Sequence, residues 1–90
     1  MLNLFGAMAY SDTTKISTTV KKPNGEYVWI DSCYTLDHGY ETMAFNCDEE
    51  GNVSSLIDVY ADTYDSVEEM KEGHKRVCEN FSTYGNGYVE

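Results

Sequence analysis

"YDSVEEMKEGHKRV", residues 64–77, decides how the C-terminal half of this chain is read. It opens like an amphipathic helix, because Asp65 can accept a hydrogen bond at the N-cap while Glu68, three residues on, reaches back in a capping box. Glu68 and Glu69 also meet the positive end of the helix dipole. Val67, Met70, His74, Val77 and Phe81 recur at spacings of three and four, a single stripe suited to facing a sheet. Gly73 and His74 sit in the middle of this helix, and a mid-helix Gly costs about 1 kcal/mol relative to Ala. The pair is either the handle of an active site or a packing device. A general base needs a partner and a concave site, and no Ser-His-Asp, Walker or zinc-ligand spacing accompanies His74. The expectation is a largely buried imidazole, hydrogen-bonded to a strand or loop, with Gly73 letting backbone approach closely.

Upstream the period changes from helical to alternating. In "KISTTVKKPNGEYVWIDSCY" the Pro-Asn-Gly group separates two β-rich runs, and Asn-Gly favours the positive φ angles of tight turns, so a hairpin is predicted. Val28 and Ile30 alternate with Tyr27 and Trp29, which puts apolar bulk on both faces of the second arm. "YETMAFNC" reads as a third strand, with Met43 and Phe45 on one face and Thr42 and Ala44 on the other. "DEEGN" turns the chain, and "VSSLIDVYADTY" supplies a fourth strand. The predicted fold is α+β: an antiparallel sheet of three to four strands packed against one C-terminal helix. It forms a single domain over residues 1–90, with an apolar N-terminal extension at 1–10 and a loose tail or short edge strand at 82–90.

Ninety residues bury only roughly 60–65% of their unfolded surface, so a deep catalytic cleft is hard to build. Eight Tyr among 12 aromatics supply amphipathic contact surface instead. The three cysteines, Cys33, Cys47 and Cys78, are odd in number and form no C-x-x-C pair. That pattern suggests buried, reduced thiols in a cytosol. "MLNLFGAMAY" lacks the basic n-region of a signal peptide and is too short to span a bilayer, so a cytoplasmic protein is expected. Met8 offers a second candidate start.

The net charge of −10 is concentrated. Between residues 37 and 72 there are eleven acids against the single Lys71, whereas acids and bases cancel on either side. "DEEGN" with Asp58, Asp62 and Asp65 lacks the ligand spacing of an EF-hand, so no metal or other cofactor is expected. Lys21 and Lys22 are too few to hold a phosphate backbone, and so acidic a chain is repelled by nucleic acid.

"YETMAF", the acidic turn "DEEGNV" and "YADTYDSVEEMKEGH" together resemble a family of small phage and prophage proteins of unknown function. That family is marked by an E-T-M-x-F strand and a Y-(D/S)-(S/T)-x-E-E-A-x-x-G-H helix start. The resemblance covers residues 40–81. Glu41, Thr42, Met43 and Phe45 match the strand, and Tyr64, Glu68, Glu69, Gly73 and His74 match the helix, with Met70 where Ala is usual. It implies phage origin, the host bacterial cytoplasm and a fold, and it assigns no catalytic residue.

Two functional classes follow, neither of them enzymatic. In the first, the chain inhibits a host defence nuclease much as small acidic anti-CRISPR proteins do, its carboxylates standing in for phosphates in a basic channel. Asp48, Glu49, Glu50, Asp58, Asp62 and Glu69 are then the contact acids, and Tyr40, Tyr60 and Tyr64 rigid anchors among them. In the second it is a structural or assembly accessory of the phage, as a monomer or a homodimer, and acidity only keeps it soluble.

Overall fold

A computed structural model describes residues 14–89; the apolar extension expected at 1–10 lies outside them. Four strands follow in chain order: β1 (Ile16–Lys21), β2 (Tyr27–Thr35), β3 (Gly39–Cys47) and β4 (Val53–Tyr64). They form one antiparallel sheet in that same order, and the helix α1 (Val67–Tyr84) lies across it. This is the α+β architecture expected from the alternation and the helical stripe.

The turns are set by the residues the sequence places in them. Gly25, at φ 92°, takes the left-handed conformation at the β1–β2 turn. Beside it the Asn24 side chain accepts from the Glu26 amide at 2.9 Å. At the β3–β4 turn the Asp48 carboxylate accepts from the amides of Glu50 and Asn52, at 3.0 and 2.9 Å, and from the Asn52 side chain at 3.1 Å. An Asp closing a turn on its own downstream amides is a general device, because its short side chain imitates a backbone carbonyl.

Strand alternation then sorts the side chains. Val28, Ile30 and Ser32 of β2, with Thr42 and Ala44 of β3, are fully buried. They share the face that meets α1, where Tyr60, Val77 and Phe81 complete the core. Burying a Val, Ile or Phe side chain contributes about 1.5–3 kcal/mol each. Trp29, Met43 and Phe45 take the opposite face and are half-buried, with the Trp29 and Phe45 rings 6.2 Å apart.

β4 departs from a regular ladder. Phe45 pairs with Asp58 and Cys47 with Val53, so one residue of β3, Asn46, faces the four residues 54–57 of β4. Such a bulge bends the strand and re-aims its side chains. Ser54 Oγ donates to the Asn46 carbonyl at 3.1 Å, and the Ile57 amide donates to Ser55 Oγ at 3.2 Å, which ties down the extra chain.

The helix start lies one residue later than the capping box predicted. Ser66 is the N-cap, extended at φ −147°, and its hydroxyl accepts from the Glu69 amide at 3.1 Å. Glu69 Oε1 in turn accepts from the Asp65 amide at 3.1 Å. Asp65 with Glu68 and Ser66 with Glu69 have the same three-residue spacing, so the pattern alone does not separate them. At the other end Gly85, at φ 73°, donates to the Phe81 carbonyl at 3.0 Å, and the helix runs three residues past the end of its apolar stripe.

Residues 85–89 form neither helix nor strand. They return to β4, where the Tyr88 ring lies 4.7 Å from that of Tyr60 and Tyr88 Oη accepts from the Ala61 amide at 3.3 Å. Among the described residues no helix is long and apolar enough to cross a membrane.

Candidate functional site: an acidic cleft beside a buried polar chain

His74 faces the sheet from the middle of α1, with 5% of its surface exposed. Its Nδ1 lies 2.6 Å from Ser32 Oγ and its Nε2 2.9 Å from Thr18 Oγ1. Ser32 is also 2.6 Å from Thr42 Oγ1. A chain Thr42–Ser32–His74–Thr18 therefore crosses the core and joins α1 to three strands. A neutral imidazole has one donor and one acceptor nitrogen, and hydroxyls can answer either, so every nitrogen is satisfied. Burial holds the His74 pKa below its ordinary value, partly offset by the charge of Asp31. Asp31 itself is engaged with Lys15 and Ser17, at 2.6 and 2.7 Å. Because Ser32 and Thr42 are fully buried, this Ser-His pair meets no solvent-borne substrate.

Gly73 serves a neighbouring purpose, different from the one expected. A Cβ there would overlap the phenol ring of Tyr64, including its hydroxyl. What approaches the bare helix is thus an aromatic side chain, where the sequence suggested backbone. The Tyr64 hydroxyl is buried with no protein hydrogen-bond partner, and burial raises its pKa, an effect the nearby Thr42 hydroxyl offsets in part.

Tyr64 also lines a cleft on the surface. Between the end of β4 and the first turns of α1 lies a hollow of about 490 Å³, lined by Asp62, Asp65, Glu68, Glu69 and Glu72 together with one cation, Arg76. Two of these acids, Asp62 and Glu69, were among those singled out from the sequence. Asp65, Glu68 and Glu72 were missed, although Glu68 and Glu72, four apart on the helix, share one side about 6 Å apart along the axis, and Asp65 directly precedes the cap. Ion pairs among the described residues join Lys15 to Asp31 and Lys22 to Glu26, and His38 Nδ1 lies 4.0 Å from Glu41 Oε1. None of them neutralises an acid of the cleft.

The remaining candidates are scattered by the fold. Asp48, Glu49 and Glu50 occupy the β3–β4 turn, at the opposite end of the 12-residue β4 from the cleft. Asp48 is engaged in holding that turn, and those hydrogen bonds depress its carboxyl pKa. Asp58 is exposed beside the bulge. Tyr60 is no surface anchor: it is 5% exposed and packs edge-on against Phe81. Burial first, then Tyr64 and Asp62, push its pKa up to about 12. Tyr40 is half-buried, edge-to-face with Tyr34 at 5.0 Å and opposite Tyr64 in the ladder.

The thiols are half-buried. Burial raises the pKa of Cys47 and of Cys78, which keeps both protonated near neutrality. Among the described residues no group of His, Cys, Asp and Glu is arranged to hold a metal ion. In comparisons with protein families, curated proteins and solved structures, nothing matches this chain.

Proposed function

We propose that the chain is a phage-encoded acidic inhibitor of a host defence nuclease, and that it binds a basic nucleic-acid channel in place of nucleic acid. The observation that carries this reading is the convergence of Asp62, Asp65, Glu68, Glu69 and Glu72 on one cleft with no cationic partner within 4 Å among the described residues. Five carboxylates against the single Arg76 repel one another, and the helix N-terminus offsets this only in part at Glu68 and Glu69, so the cluster favours a basic partner. Backbone order helps, because Glu68, Glu69 and Glu72 sit on a capped helix and Asp62 on a paired strand, so the main chain needs little ordering on binding. The phage origin and the host bacterial cytoplasm are part of the proposal and rest on the sequence pattern of residues 40–81 alone.

The test begins with capture from bacterial lysate and identification of the bound protein, followed by association measurements with that protein. If the reading holds, the target is a nuclease, binding weakens steeply as salt rises, and added DNA or RNA competes. Recovery of capsid or tail proteins would favour the assembly role instead. Binding indifferent to salt and nucleic acid would remove the mimic reading.

A further inference from the structure

Leu56 and Ile57 are adjacent in sequence, and in a regular strand adjacent side chains point to opposite faces. One of them should therefore be directed toward α1. Both are instead turned to solvent, at 89% and 77% exposure. The cause is the bulge, in which residues 54–57 oppose the single residue Asn46. Isolated exposed aliphatics are ordinary; two side by side, presented by a bulge that hydrogen bonds hold in shape, form a protruding apolar knob.

Its surroundings are acidic. Asp58 follows directly, and Glu49 and Glu50 lie in the turn that leads into the same strand, all exposed. None is paired with a cation among the described residues. We propose that Leu56 and Ile57 are an aliphatic anchor for a protein partner whose surface offers an apolar pocket rimmed by Lys or Arg. This rests on the basic-partner reading above and adds to it a second contact, distant from the cleft, that works by burial. A second copy of the chain is the poorer occupant, since pairing two such edges would bring Asp58 and the turn acids of two chains of charge −10 together. Charge then governs encounter, and the anchor governs residence.

A random peptide library displayed on phage or yeast, selected against the full-length protein, tests this with a defined probe. Enriched peptides should combine Lys or Arg with a large apolar residue. They should lose about tenfold or more in affinity for the Leu56→Ser/Ile57→Ser variant. Both side chains are exposed, so the variant should melt like the parent, and an unchanged unfolding curve separates lost binding from lost fold. Peptides that depend on Glu68 and Glu72 but bind the double variant normally would overturn the anchor and leave the basic-partner reading in place. Peptides without Lys or Arg would overturn both, and so would no enrichment. A concentration-dependent dimer in sedimentation, abolished by the double variant, would also overturn the proposal and assign the knob to a second copy.

Discussion

The phenol ring of Tyr64 lies where a side chain on Gly73 would begin, so the last residue of β4 and the middle of α1 fit only because Gly73 has no Cβ. Two opposing effects decide what Gly73→Ala does. Alanine gains about 1 kcal/mol of helix propensity, while overpacking a filled site costs about 1–3 kcal/mol. The steric cost is expected to win, with a lower denaturation midpoint. In the Tyr64→Ala background the same substitution should stabilise, and a double-mutant cycle measured by urea unfolding gives the coupling. Additive effects would show that Tyr64 does not fill the space.

His74 yields a second expectation, in stability and its pH dependence. Truncation to Ala removes the group that links the buried Ser32 hydroxyl, which keeps Thr42, to the half-buried Thr18 hydroxyl. A loss of about 2–4 kcal/mol is expected from unsatisfied polar groups and the cavity together. Because folding lowers the His74 pKa, the unfolded chain binds more protons once pH falls below about 6.5. This contribution to stability is therefore complete above that pH and is lost as pH falls toward the folded value. Urea midpoints from pH 8 down to pH 5 should fall more steeply in the parent than in His74→Gln. Equal slopes would place the imidazole in solvent. Binding should decline with His74→Ala only as far as unfolding requires.

The sequence made the fold legible where one periodicity had a single physical solution. Asn24-Gly25 permits the tight turn, the alternation about Val28 and Ile30 orients β2, and the stripe through Met70, His74, Val77 and Phe81 fixes the buried face of α1. It was ambiguous where two solutions share a pattern. Asp65 and Ser66 each have a Glu three residues ahead, and only the extended backbone of Ser66 selects it as the cap. The bulge left no signal either, because Leu56-Ile57 reads equally well as buried strand. The site was hardest to read. Eleven clustered acids look like one patch in sequence, but a 12-residue strand carries Glu49 and Glu50 away from Asp62 and the helix start.

Thiol chemistry gives a third prediction. Cys47 and Cys78 have raised pKa values through burial, and the thiolate is the species that alkylates. At pH 8 both should react with iodoacetamide more slowly than a free cysteine, and the difference should vanish in urea. Replacing either with Ala should leave partner binding intact. Rapid alkylation that abolishes binding without unfolding would revive a thiol mechanism.

The turn acids divide by what they touch. Asp48 accepts three hydrogen bonds at the β3–β4 turn, whereas Glu49 and Glu50 are exposed and lack ion-pair partners among the described residues. Asp48→Lys should lower the melting temperature, and Glu49→Lys with Glu50→Lys should leave it nearly unchanged, as surface substitutions usually do within about 0.5 kcal/mol. Circular dichroism melts of the two variants and the parent distinguish these outcomes. A melt of Asp48→Lys equal to that of the parent would mean the turn is held by its glycine alone.

The cleft and the turn can be separated kinetically against a captured basic target. Rim charges act mainly on encounter, so reversing Glu68 and Glu72 to Lys should slow association more than it speeds dissociation. The effect should shrink with salt, because screening shortens from about 8 Å at physiological ionic strength to about 3 Å at 1 M. Reversing Glu49 and Glu50 should slow association less if the cleft is the surface that enters the channel, since those residues lie at the far end of β4. Leu56→Ser with Ile57→Ser should do the opposite, leaving the association rate unchanged and raising the dissociation rate, because buried apolar contact forms only after encounter. Stopped-flow or surface-plasmon measurements at two salt concentrations resolve the three variants. If the cleft reversal leaves association unchanged while the turn reversal slows it, the acidic turn, and not the cleft, is the surface that meets the target.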